Sequence, residues 1–416
     1  MKLFLSAIAC DPCGGSESIY GWYVVSALAK HHECYVITEK RFQKSIEESK
    51  KRGIVPDSIH FRYLSMGVTY HPNRLVARLQ SWRWYQQFQQ NVLKMAAEWH
   101  QEVGFDLAQH VTYTTWRVPS ELWKLGIPFV WGPISGTEVF PPSCMSSLSF
   151  TSRCFETLRR VQTFFALKGK NTLQCARKAD AIPVPHRQAL EFLTQVRGSA
   201  VGVSICHNFF FPDARNEELK SQRTLSDVKM PLRAFAAGNL EGRKGVAIAL
   251  QAIAEAKARG IRVDYQVTSR GPELEHLKKL ARNLGISDQV ILGERFEAKD
   301  FAEALGTFDI CLVPSLRDGA GLSIMEAMLA GCVPIVADWC GPAEFVTKEC
   351  GFKVPVTNPK RMAQDIAETL CLLDSDRDLL QRLGTAAGER IRNFYNERQF
   401  LDSMNQIYER TLVSDR

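Results

Sequence analysis

No apolar stretch in the 416 residues reaches the roughly 18 uncharged positions that a membrane-crossing helix requires. The opening MKLFLSAIAC has the look of a short leader core, yet it breaks at Asp11-Pro12 without a small-residue cleavage site, and it is expected to be a first buried strand of a cytosolic protein. Low-complexity and collagen-like composition are lacking as well, since 45% of residues are hydrophobic and 23% charged. Zinc-finger spacing is missing: Cys10 and Cys13 form a CxxC pair with no second pair or spaced histidines. The twelve cysteines are scattered, several inside apolar runs such as 309–313, which suits reduced thiols in a core.

What is present is an alternation of short apolar runs with helix-like stretches, the signature of parallel α/β layers. Strands are expected at 2–9, 33–38, 60–64, 106–110, 128–131, 181–184 and 201–206, with helices at 19–30, 85–103, 155–179 and 187–195. Residues 207–231 are polar and without apolar period, a candidate linker. The alternation then restarts, with strands at 232–237, 262–268, 289–292, 308–313 and 333–337 and helices at 246–259, 272–284, 299–305, 322–330 and 361–372. Two doubly wound domains facing across a cleft are therefore expected, and in such sheets ligands sit beyond the carboxyl ends of the strands.

Three strand-to-helix loops carry chemistry. In the first, Gly14 and Gly15 let backbone approach a ligand ahead of a helix N-terminus, without the GxGxxG spacing of a dinucleotide site. In the second, 238–245, Asn239 is followed by Arg243 and Lys244, cations of the kind a pyrophosphate needs, although the Walker spacing is absent. The third runs from Val313 through Asp318, Gly319, Ala320, Gly321 and Leu322 to Glu326. There a helix start can hold phosphate oxygens while carboxylates accept hydrogen bonds from ribose or sugar hydroxyls.

Taken with Gly341-Pro342-Ala343-Glu344 and Phe129-Val130-Trp131-Gly132-Pro133, these loops resemble the retaining, nucleotide-sugar-dependent glycosyltransferases of family 4. The resemblance implies the GT-B fold, with an N-terminal acceptor domain over 1–207, a donor domain over 208–390 and a closing helical segment, 391–416, that returns to the first domain. It also implies residue roles. Glu326 would bind the donor ribose, Asp318 would face the donor sugar in place of a glutamate, and Lys244 would neutralise the diphosphate. Gly14 and Gly15 would approach the phosphates, and His110 would meet the donor sugar. Asn239 stands where the family has an arginine, so that either Arg243 takes that role or the contact is absent. Retention without a placed nucleophile, and a hexosyl transfer needing no metal or other cofactor, follow from the same resemblance. So do a UDP- or GDP-sugar donor and a glycan or lipid-linked acceptor of cell-surface polysaccharide synthesis. Because Asp318 and Asn239 depart from the pattern, a non-catalytic sugar-binding or partner subunit and a sugar-nucleotide epimerase remain alternatives.

The net charge of +7 is uneven: residues 1–210 hold 24 basic and 15 acidic side chains, whereas 211–416 hold 28 and 30. Basic residues gather at Arg74, Arg78 and Arg83 beside Trp82, Trp84, Tyr85 and Phe88. A second group, Arg153, Arg159, Arg160, Lys168 and Lys170, lies beside Phe155, Phe164 and Phe165. Solvated helix faces over buried aromatics, an anionic substrate and an anionic membrane surface each account for this. Nucleic acid is not expected, for want of a recognition module. The sequence thus reads as a cytoplasmic protein with peripheral contact at the inner membrane face as an added expectation.

Overall fold

The computed structural model describes residues 1–416 except 16, 66–73, 207–208, 214–216, 218, 220–229, 269, 295–300 and 414–416, and leaves the side chains of 74–82 undescribed. Most of the expected linker, and the side chains of Arg74, Arg78 and Trp82, fall outside the described residues.

The chain divides into two units. The first comprises 1–137, 163–210 and 397–416; the second comprises 138–162 and 211–396. Residues 138–162 thus group with the second unit, and 397–416 with the first.

In the first unit, β1 (Lys2–Ser6), β2 (Glu33–Glu39), β3 (Ile59–Leu64), β4 (Leu107–His110) and β5 (Phe129–Trp131) form a parallel sheet ordered β3-β2-β1-β4-β5. A further parallel pair, β6 (Ile182–Val184) and β7 (Val203–Ile205), is joined to β5 through the Val130–Ala181 bridge. The helices are α1 (Glu17–Leu28), α2 (Gln43–Lys51), α3 (Arg74–Val103), α4 (Phe150–Leu167), α5 (Lys170–Lys178) and α6 (Arg187–Arg197), α4 being the helix in which the division between units falls. Apolar residues alternate between two cores because a strand presents successive side chains to opposite faces. Leu3 and Leu5 enter one core and Phe4 the other, so both faces are buried, as a parallel sheet demands. The single helix expected over 155–179 is two, α4 and α5, parted at Lys168-Gly169. A glycine costs about 1 kcal/mol in a helix interior, and it takes the position just before α5 instead.

In the second unit, β8 (Leu232–Ala236), β9 (Val263–Val267), β10 (Val290–Leu292), β11 (Ile310–Val313), β12 (Val333–Ala337) and β13 (Phe352–Val354) form a parallel sheet ordered β10-β9-β8-β11-β12-β13. Its helices are α7 (Val246–Ala258), α8 (Leu274–Asn283), α9 (Phe301–Leu305), α10 (Leu322–Leu329), α11 (Pro342–Phe345), α12 (Pro359–Ser375) and α13 (Arg377–Phe394). The last helix, α14 (Glu397–Val413), belongs to the first unit. Phe400, Met404, Ile407 and Tyr408 enter its core, and the Tyr408 hydroxyl donates to Gln109 on β4.

Strand order reverses between β1 and β4 in the first sheet and between β8 and β11 in the second. At such a reversal the flanking loops diverge to opposite faces and open a crevice at the carboxyl end. The loops singled out from sequence follow β1, β8 and β11, and His110 ends β4. Topology thus puts every one of them at a reversal point.

Candidate functional site

At the reversal of the second sheet, the loops after β8 and β11 are joined to one another. The Leu316 amide donates to the Arg243 carbonyl at 2.8 Å, and Arg243 Nη1 donates to the Arg317 carbonyl at 3.0 Å. Lys244 Nζ meets Asp318 Oδ2 at 2.5 Å, with Arg243 Nη1 3.9 Å from Oδ1. The lysine and aspartate side chains are 12% and 11% exposed, so the pair is shielded yet open on one side. Burial alone would raise the Asp318 carboxyl, but Lys244 and then Arg243 outweigh it and hold it below its ordinary value.

Glycines make this approach feasible. Gly238, at φ 111°, lies under the Lys244 side chain: a Cβ there would sit 3.2 Å from its Cε. Gly245, at φ 71°, leaves room for the Pro314 carbonyl, which a Cβ would meet at 2.1 Å.

Arg243 is bound more widely than sequence suggests. Its Nε donates to Glu241 Oε2 at 2.5 Å, and Asn239 Nδ2 donates to the other oxygen at 3.0 Å. Asn239, exposed at the arginine position, is thereby tied to Glu241.

Beyond Asp318, Gly319 and Ala320 lead to Gly321, which stands in the left-handed region at φ 76° before α10. The Ile324 and Met325 amides donate to the Gly321 carbonyl, and those of Leu322 and Ser323 precede the first intrahelical bond, at the positive end of the helix dipole. In α10, Ile324, Met325, Ala327, Met328 and Leu329 are buried, whereas Leu322, Ser323 and Glu326 are half-buried and share one face. Glu326 stands about 6 Å along the axis from Leu322, four residues at a rise of ~1.5 Å each. A phosphate at the helix start and a hydroxyl-bearing ring beside Glu326 fit that spacing.

One contributor was not foreseen. Glu156 of α4 accepts from Arg317 Nη2 at 2.8 Å and Nε at 3.2 Å, with side-chain exposures of 4% and 11%. It secures the residue next to Asp318 from 161 positions away in sequence. The same segment is held by Ser152, whose hydroxyl donates to Glu273 at 2.5 Å, and by the Trp339 indole, which donates to the Val139 carbonyl at 3.1 Å. The sequence signal for Glu156 is that it is the lone acid between 139 and 178.

At the reversal of the first sheet the chemistry is sparser. Gly14 packs inside its own loop, where a Cβ would lie 2.2 Å from Ser18 Oγ, while a Cβ on Gly15 would meet nothing within 4 Å. His110 is 1% exposed; its Nε2 lies 2.8 Å from the Thr112 carbonyl and 3.2 Å from the Tyr85 hydroxyl. Burial, opposed by backbone hydrogen bonds, lowers its pKa to about 4, so the ring is neutral. The expected sugar contact would need an open ring edge, and this ring is enclosed in the core. Tyr113, 38% exposed and at φ 58°, is the side chain that emerges there, its amide donating to Glu17 Oε1 at 2.6 Å.

Among the described residues no group of three or more His, Cys, Asp or Glu has metal-binding geometry. Two Asp-x-Asp stretches, 374–376 and 376–378, sit where α12 meets α13. Asp374 pairs with Arg377 at 2.5 Å and Asp376 caps α13 through the Leu379 amide, which accounts for them structurally. The twelve cysteines form no disulfide, and nine of them are buried. Among the described residues no helix is long and apolar enough to cross a membrane.

Residues 218–390 match the family model described as Glycosyl transferases group 1. The D-inositol 3-phosphate glycosyltransferase of Corynebacterium diphtheriae is 30% identical over 194 residues, 44% of each chain. The colanic acid biosynthesis glycosyltransferase WcaL of Salmonella typhimurium, whose name marks the assignment as provisional, is 25% identical over 185 residues, 42% of this chain and 45% of that one. The chain thus spans a little under half the length of these curated relatives. Among solved structures, HepE of Anabaena in complex with UDP superposes with a TM-score of 0.62 at 15% identity, covering 97% of this chain and 98% of that one. Sucrose-phosphate synthase of Thermosynechococcus elongatus gives 0.65 at 17% identity, covering 99% of both. Residues 218–390 thus match glycosyl transferases group 1, and the fold of the chain is GT-B.

Proposed function

We propose that the protein is a retaining glycosyltransferase that moves a hexosyl group from a nucleoside-diphosphate sugar to a glycan or lipid-linked acceptor, in the synthesis of a cell-surface polysaccharide at the cytoplasmic side. The observation that carries the reading is Lys244 against Asp318 at the carboxyl end of β8 and β11, with Asp318 four residues before the start of α10.

Cleavage of the donor's glycosidic bond leaves a further negative charge, the second on the terminal phosphate of the nucleoside diphosphate, developing on the leaving oxygen. A fixed ammonium and the amides of a helix start stabilise that charge without reorganising, the kind of contribution that removing one preorganised group shows to be worth about 100-fold or more. In this role Lys244 exchanges the Asp318 carboxylate for the diphosphate, and Arg243 keeps the two loops joined while it does so. Asp318, released, turns to a hydroxyl of the donor sugar, and Glu326 accepts from the ribose. Gly15, with open space over its Cα, leaves its own backbone accessible to an anion. His110, neutral and enclosed, supports Tyr113 and its loop from beneath. On this reading the reaction runs without a metal. HepE, whose fold is shared, is seen with UDP and with UDP-glucose, which makes uridine nucleotides the first donors to try.

The test is product formation from radiolabelled UDP- and GDP-hexoses after exhaustive EDTA treatment, with the anomeric configuration of the product read by NMR. Undiminished transfer with retained configuration supports the proposal. Activity abolished by EDTA and restored by a divalent cation would overturn its metal-free part, and conversion of the donor without any acceptor would point to an epimerase.

A further inference from the structure

Helix α4 turns an apolar face outward. Phe150, Leu158, Val161, Phe164 and Phe165 are 79, 38, 46, 55 and 64% exposed. At ~100° per residue they fall within an arc of about 120°, a stripe that also holds the exposed Cys154 and Thr157. The opposite side carries the buried Glu156 and Ala166. Single exposed apolar residues need no explanation, but a continuous stripe along four turns marks a surface that is covered in use.

Its charge says by what. From Val139 to Lys178 the only acidic residue is Glu156, which is buried against Arg317. Arg153, Lys168, Lys170, Arg177 and Lys178 are exposed. Lys168 Nζ lies 4.4 Å from the centre of the Phe164 ring, its stem along the stripe and its charge at the edge. A second copy packed on the stripe in two-fold symmetry would bring these cations together with no acid to meet them. An apolar stripe with cations at its rim matches the boundary between acyl chains and anionic headgroups, where rings enter the hydrocarbon and lysines stay at the phosphates.

We propose that α4 is an interfacial helix that seats this protein on an anionic lipid surface, with Phe150, Phe164 and Phe165 inserted and Lys168 and Lys170 at the headgroups. This assigns the basic–aromatic surface to one element. It stands apart from the donor chemistry, since the test contains no nucleotide.

The test is flotation of the full chain with vesicles of phosphatidylglycerol and phosphatidylcholine, against phosphatidylcholine alone, at low and high salt. Binding to the anionic vesicles should be at least tenfold tighter than to the neutral ones and should weaken by a similar factor as salt rises. Phe164→Ser with Phe165→Ser, and separately Lys168→Glu with Lys170→Glu, should each weaken it at least tenfold. Both pairs are exposed, so circular dichroism and melting should be unchanged. Binding to neither vesicle, equal binding to both, or full binding by both variants would overturn the proposal. So would sedimentation showing that the phenylalanine variant dissociates a dimer while vesicle binding persists.

Discussion

The two sheets reverse their strand order in the same manner and yet present opposite chemistry at the reversal. In the second unit four charged side chains, Glu241, Arg243, Lys244 and Asp318, are bonded into one network, with Arg317 and Glu156 behind it. In the first unit the corresponding loops offer glycine backbone, a neutral histidine enclosed in the core and an exposed tyrosine. Topology therefore determines where a ligand can approach, and loop composition determines what it meets. An anionic ligand at the second reversal would meet fixed charges, whereas one at the first would meet backbone.

That contrast can be broken from either side. The largest effect should come from Glu156→Ala, which leaves Arg317 shielded without a counter-charge: a loss of about 3 kcal/mol or more in chemical denaturation, the cost of breaking a buried pair. A change under ~0.5 kcal/mol would show that Glu156 supports nothing. Lys244→Ala should lower transfer about 100-fold or more; a rate within threefold of the parent would remove the electrostatic account. Glu326→Gln should weaken nucleotide binding by about 1.5–3 kcal/mol, the scale of a hydrogen bond to a charged group, in calorimetry, with the melting temperature retained.

The first unit has its own signature, in pH. With the folded His110 pKa at about 4 and an unfolded value of ~6.5, the unfolded chain takes up this proton first as pH falls. The stability due to the neutral ring is thus complete above about pH 6.5 and is lost toward pH 4, roughly 2 kcal/mol of it by pH 5. His110→Asn should flatten the dependence between pH 7.5 and 5 by that amount. Asp318 has the depressed carboxyl expected of a paired acid. Its contribution is present above the ordinary carboxylate value and fades only as pH drops through the lower folded one, so it leaves the His110 window undisturbed.

Much of this was legible beforehand, for a physical reason. Strands of a parallel sheet are buried on both faces and stand out as apolar runs, which is why β1, β8, β11 and the loops behind them could be placed from sequence. What escaped is what depends on distant partners. Nothing in the sequence joins Glu156 to Arg317, so the grouping of 138–162 with the second unit was invisible. The two basic–aromatic stretches look alike as strings, but Tyr85 and Phe88 are buried while Phe164 and Phe165 are exposed. Burial is a property of the packed sheet, and composition does not encode it. The strand β13, three residues long, and the polar helix α2 were missed because neither carries enough apolar residues to show a period. His110 ends its strand as expected, and its enclosure follows from α3, whose Tyr85 covers it.

On the function proposed above, the network of the second unit receives a nucleoside diphosphate. Thermal and chemical stability should be measured with UDP and with GDP, on the parent and on Lys244→Ala. At about 100 times its dissociation constant the true nucleotide should add roughly 2.7 kcal/mol to the parent, and most of that gain should vanish in the variant at the same concentration. No gain with either nucleotide, or a gain equal in parent and variant, would contradict the claim.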